Sequence, residues 1–135
     1  MVGISVWLCA AAVAADVPTA RLYGIETELS MPNLEDNLRY SITHETECLT
    51  DEQLEVRFPV LAQPSVSDCQ LYDRRSDGAT ISYHLACTAG HGTTGGVQWD
   101  WGEHQRTGVL HVKLGGKNMT FFQRVTAISL GRCKS

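Results

Sequence analysis

"CQLYDRRSDGATISYHLAC", residues 69–87, sets a cysteine at each end of two short alternating runs parted by Ser76, Asp77 and Gly78. Alternation on both sides of a Ser-Asp-Gly turn reads as a β-hairpin. With the turn centred on Gly78, Cys69 falls opposite Cys87, Leu71 opposite Leu85 and Asp73 opposite Tyr83, all on one face. Directly opposed residues lie ~4.5–5.5 Å apart, a gap a disulfide spans. Cys69 and Cys87 are therefore expected to staple the hairpin, which leaves Cys48 for Cys133. That second bridge encloses a long loop, and in the chain-entropy account it adds ~4–5 kcal/mol of stability. The spacings contain no CxxC, which argues against a tetrathiolate zinc site or a thioredoxin-type redox pair.

Disulfides belong to oxidising compartments, and the start of the chain agrees. Residues 1–15, MVGISVWLCAAAVAA, are uncharged, apolar in the middle and end in small residues, the pattern of an export signal. Val13 and Ala15 suit the minus-three and minus-one positions of a cleavage site, so cleavage is expected after Ala15, with Ala14 as the alternative. The apolar run falls short of the roughly 20 residues a bilayer-spanning helix needs. Cys9 follows Leu8, where a lipidated cysteine would want a small neighbour, and is assigned to the discarded segment. Residues 16–135 are then one domain in the periplasm, with no transmembrane span and no linker or repeat to divide it.

Net charge is −4, unevenly spread. Residues 16–55 hold most of the acids, whereas residues 106–135 hold bases and no acid. The two ends attract if the fold brings them together. An acidic chain without a basic, aromatic-laced stretch is not built to hold nucleic acid.

Gly24–Met31 alternates Ile25, Thr27, Leu29 and Met31 against Glu26, Glu28 and Ser30, a half-buried strand, and Pro32 and Asn33 turn it. Leu38, Tyr40, Ile42, His44, Thr46 and Cys48 are expected on the inner face of the next strand. In "TDEQL", Thr50 caps a short helix, Gln53 returns the capping-box bond, and Asp51 and Glu52 suit the positive end. Pro59 and Pro64 limit the next stretch to a turn or two of helix and a loop. After the stapled hairpin, Thr94–Trp101 turns Val97, Trp99 and Trp101 inward. Across a loop of Glu103, His104, Gln105 and Arg106, Leu110, Val112 and Leu114 do the same. Residues 117–129 form the last strand, with Met119, Phe121 and Val125 in the core and Phe122 unassigned. The fold class is all-β and mainly antiparallel: a curled meander sheet or small up-and-down barrel of about seven strands, with one short helix and two disulfides.

Together these features resemble the small exported bacterial proteins grouped as domain of unknown function 3617. The matching residues are Gly24 through Met31, "CLTDEQL" at 48–54, the stapled hairpin at 69–87, Gly95 and Gly108 around the tryptophan strand, and "LGRC" at 130–133. They span nearly the whole of residues 16–135. One departure is Ile25, where members carry a Trp just after the first glycine. The resemblance implies export, paired cysteines and a β-rich fold, and no activity.

Candidate chemistry is sparse. His84, Gln98 and His111 fall in one outward row if Tyr83 pairs with Trp99 and Trp99 with Leu110. Two strand spacings then part the histidines by ~9.6 Å, against zinc–nitrogen bonds of ~2.0–2.1 Å, so they read as surface residues, and no metal or other cofactor is expected. His44 reads as a core histidine. "CTAGHGTTGG", residues 87–96 with His91, lacks the GxxxxGKS/T pattern and a following helix, so it reads as a hairpin loop and not a phosphate cradle. "WDWGEH" places Asp100, Glu103 and His104 close in sequence with no nucleophile beside them, and no catalytic residue is assigned.

Trp99, Trp101, Tyr83, Tyr40 and Phe121 are expected to face inward, as core or as the lining for an apolar ligand if the barrel is slightly open. The expected function is non-catalytic: an exported binding module for a small apolar ligand in its interior or an envelope protein at its rim. An inhibitor of an envelope-degrading enzyme such as lysozyme, by fold analogy, and a hydrolase-type enzyme using the Asp100/Glu103/His104 loop are the alternatives.

Overall fold

The computed structural model describes residues 19–30, 40–88, 92–116 and 119–133, together with Gly3. The rest of the expected export segment, the Pro32–Asn33 turn, Met31, Leu38 and His91 lie outside the described residues.

Seven strands form one antiparallel sheet: β1 (Arg21–Ser30), β2 (Tyr40–Leu49), β3 (Cys69–Asp77), β4 (Thr80–Cys87), β5 (Thr94–Trp101), β6 (Gln105–Leu114) and β7 (Met119–Arg132). Their order across the sheet is β2-β1-β7-β6-β5-β4-β3. That is a circular meander left open between β2 and β3. Closing it into a barrel would require those two edges to pair, and they do not; of the two expected architectures the open sheet is the one found. The chain between the edges instead crosses one face of the sheet. It carries the five-residue helix α1 (Asp51–Glu55) and the 3-10 turn Pro59–Ala62. As read from the sequence, Thr50 and Gln53 close a reciprocal capping box at the start of α1.

The sheet itself supplies the other helix ends. A helix terminus leaves backbone groups unpaired, and burying them unpaired costs stability. Trp99 Nε1 donates to the Glu55 carbonyl at 2.8 Å, and the Val60 amide donates to Gln123 Oε1 at 3.1 Å. The connector is thus fastened by polar groups as well as by Leu54, Phe58, Val60 and Val66, all buried with Tyr23, Ile25, Trp99, Leu110, Phe121 and Val125 in one core. Trp99 lies flat over Gly108, its partner in β6. A Cβ added at Gly108 would stand 2.4 Å from the indole, so only glycine admits the ring there.

Both disulfides have the expected partners. Cys69 and Cys87 are directly opposed, with Cα atoms 4.0 Å apart. Cys48 and Cys133, 5.6 Å apart, join the end of β2 to the residue after β7, on either side of β1 in the sheet. The meeting of acidic and basic ends is also seen, since β1 pairs with β7 and Glu28 lies 3.7 Å from Arg124.

Several expected pairings change. Leu71 faces Leu85, but Asp73 does not face Tyr83: the register slips between Tyr72 and Arg75, and Asp73 has φ +55°. One extra residue in β3 makes this a β-bulge. Tyr83 pairs with Val97 and Trp99 with Gly108, each two places from the expected partner. A two-residue slip preserves the face, so the inward set of β5 stands. In β2 the parity is opposite to that expected. Glu45 and Glu47 pair with inward-facing Ile25 and Tyr23, and Ile42 and His44 pair with outward-facing Glu28 and Glu26. His44 is an exposed residue of the outer face. The cause is Arg57 of the connector, whose guanidinium takes Glu47 at 2.5 Å and Glu45 at 2.6 Å on the inner side. Arg106, expected in a loop, lies in β6 and points inward, leaving a shorter β5–β6 turn. The last strand runs to Arg132, and Phe122 is an exposed outer-face residue.

Candidate functional site

The inner face holds most of the residues expected to bind. Trp99 and Phe121 are fully buried, and Tyr83 and Trp101 pack half-buried against the same core. The side chain of Tyr40 lies outside the described residues. The space these side chains enclose is filled by the connector: Phe58 stacks at 5.8 Å from Trp99, and Trp101 meets Trp99 edge-on at 5.6 Å.

Around this core run two ion-pair clusters that the sequence reading did not assemble, each anchored on one acid of α1. Asp51 and Glu55 are four residues apart and so share a helix face. Glu55 is buried, takes two hydrogen bonds from Arg74 at 2.8 Å each, and accepts the Tyr83 hydroxyl proton at 2.7 Å. Burial pushes its carboxyl upward, but the bonds from Arg74 and Tyr83 outweigh that and hold it below the usual carboxylate range. The same contacts act on Tyr83: burial, then the carboxylate beside it, push its phenol up to about 12. Asp51 accepts from Tyr23 at 2.8 Å and from Arg106 at 2.7 Å, and Arg106 also donates to the Tyr23 hydroxyl. Burial raises the Asp51 carboxyl, yet these bonds leave it lowered. The Arg106 guanidinium lies 4.0 Å above the Trp101 ring, a cation–π contact. Every acid and base in these clusters has a partner of opposite charge, which is the signature of a fastening.

Asp100, Glu103 and His104 do not converge on a reacting position. Asp100 lies on the outer face of β5, opposite Thr80 and Thr107, and Glu103 and His104 are exposed in the turn after it. Among the described residues, Asp68, Cys69 and Cys87 are the one group of three metal-ligating side chains close together, and both of its sulfurs are bonded to each other.

The outer face differs. One row crosses the sheet from Phe122 to His111, Gly96, His84 and Tyr72. The expected row of histidines is found with Gly96 at its centre in place of Gln98. A hollow of about 360 Å³ opens over Gly96, lined by His84, His111, Ser82, Gln98 and Val109. A second, of about 410 Å³, lies over β1, where Leu130 leans on Gly24 beside Ile128, Glu26 and His44. Ile42, Phe122, Ile128 and Leu130, on β2 and β7, stand 42%, 43%, 48% and 56% exposed.

No helix among the described residues is long and apolar enough to cross a membrane. No family model, curated protein or solved structure matches this chain.

Proposed function

We propose that this chain is an exported, periplasmic, non-catalytic binding module of the domain of unknown function 3617 type, and that it meets an envelope protein through the outer face of its sheet. One observation carries the choice of surface: Ile42, Phe122, Ile128 and Leu130 stand uncovered on β2 and β7, either side of β1, while the inner face is filled by its own connector. Ile128 and Leu130 lie together beside Gly24, and Ile42 and Phe122 flank the other end of β1; large apolar side chains left exposed on one face mark where another molecule docks. The two disulfides support export, since such bridges persist in oxidising compartments, and Cys48–Cys133 ties the ends of the two strands that carry the surface.

A photo-crosslinking residue placed at Phe122 in the native cell tests this reading. The expected result is one envelope-protein adduct that is lost when Ile128→Glu is added and is not formed from Gln70, exposed on the same face of the far edge strand β3. Equal labelling from Phe122 and Gln70, or an adduct indifferent to Ile128→Glu, would overturn it. Titrating an environment-sensitive apolar dye against tryptophan fluorescence tests the interior alternative, for which a saturable change at Trp99 and Trp101 is required.

A further inference from the structure

We propose that His84 and His111 hold one divalent transition-metal cation, of the imidazole-preferring kind such as Zn²⁺ or Ni²⁺, above Gly96 on the outer face. Both histidines pair with the same residue, His84 from β4 and His111 from β6. Their strands are thus two spacings apart, ~9.6 Å. That figure separates backbones, and the imidazoles reach across it. Two nitrogens on one tetrahedral ion stand about 3.3 Å apart, so each ring must lean inward by about 3 Å.

His111 already leans that way. A Cβ placed on Gly96 would be 3.5 Å from its Cε1 and 3.9 Å from its Nε2, so the ring lies over the central strand. The same Cβ would meet the Tyr83 carbonyl oxygen at 2.9 Å; glycine both lets the strands approach and leaves the middle of the site open. His84 has its Nε2 3.8 Å from Asp73 Oδ2 on the opposite side. That separation is beyond hydrogen-bond length, and with the Tyr72 ring 5.8 Å away it leaves the His84 ring on the β3 side of its strand. Asp73 is there because of the β3 bulge, with its φ of +55°. The His84 side chain is 60% exposed, so the ring swings from Asp73 to Gly96 on binding the ion without displacing core atoms.

Imidazole nitrogen selects zinc, nickel or copper over calcium and magnesium, which want oxygen shells. Two protein ligands leave positions on the ion for water or a donor from another molecule. The site adjoins the apolar side chains, since His111 pairs with Phe122, but it is read out by metal binding alone.

Calorimetric titration of the full, non-reduced protein with zinc chloride and with nickel chloride tests this. The expected result is one ion per chain, with affinity reduced about tenfold or more by His84→Gln and by His111→Gln and unchanged by His44→Gln, an exposed histidine of the same face. Both substituted side chains are exposed, and far-UV circular dichroism verifies that the variants fold. Nickel-induced NMR broadening should centre on residues 84, 96 and 111. Absence of saturable binding overturns the site. So does a response to only one of the two histidines, or an equal loss in His44→Gln.

Discussion

The two faces of this sheet are made from alternate residues of the same seven strands, yet they are built to opposite rules. On the inner face Asp51, Glu55, Glu45 and Glu47 each meet an arginine, the aromatic side chains pack into the core, and the connector's helix ends are satisfied by Trp99 and Gln123. On the outer face large apolar side chains are left uncovered and hollows remain open. The difference separates what holds the molecule together from what is free to meet something else. It also accounts for how an open sheet manages without closure: the connector fills the side a barrel would have enclosed.

The strongest way to break the inner face is through its centre. Trp99→Ala removes a fully buried indole, the Phe58 and Trp101 contacts, and the bond to the Glu55 carbonyl. Urea denaturation should show a loss of about 3–5 kcal/mol. A loss under about 1 kcal/mol would mean that the connector is not packed against the indole.

Next comes the Glu55 cluster. Arg74→Ala leaves a buried carboxylate with only the Tyr83 hydroxyl, at an expected cost of about 3 kcal/mol at neutral pH. The pH dependence sharpens the assignment. In the native protein the folded Glu55 pKa is lowered, so its stabilisation is present above the unfolded value of about 4.3 and fades as pH falls through the folded one. Without Arg74 burial dominates and the folded pKa rises, which favours the protonated form. The stability gap between the two proteins should therefore narrow as pH falls from the variant's raised folded pKa through the native protein's lowered one. A gap constant between neutral and acid pH would place the effect of Arg74 elsewhere.

These inner-face contacts also mark the limit of what the sequence discloses. The stapled hairpin, the capping box at Thr50 and Gln53 and the inward set Val97, Trp99 and Trp101 are legible because each rests on neighbours close in the chain. The parity of β2 is not. Ile42 and His44 look like the buried set until Arg57, ten residues beyond Glu47, draws Glu45 and Glu47 inward. Arg106 reads as loop because it is charged, and nothing local signals that Trp101 and Asp51 cover its guanidinium. The histidine row is legible in outline only. Its centre turns on strand registers that slip two places from expectation, which exchanges Gln98 for Gly96 and opens the floor between the rings.

The smallest expected effect is the one that decides the comparison. Phe122→Ser and Ile128→Ser remove apolar side chains of the outer face that are 43% and 48% exposed. About half of each side chain is still covered, and no buried group is left unpaired. Each variant should cost about 1–2 kcal/mol, in proportion to the area it covers. A loss above about 3 kcal/mol at either position, as large as that at Trp99, would show that the outer face belongs to the core after all. Losses well below those at Trp99 and Arg74 would leave the exposed half of each side chain without a structural reason to be apolar, and association as the remaining one.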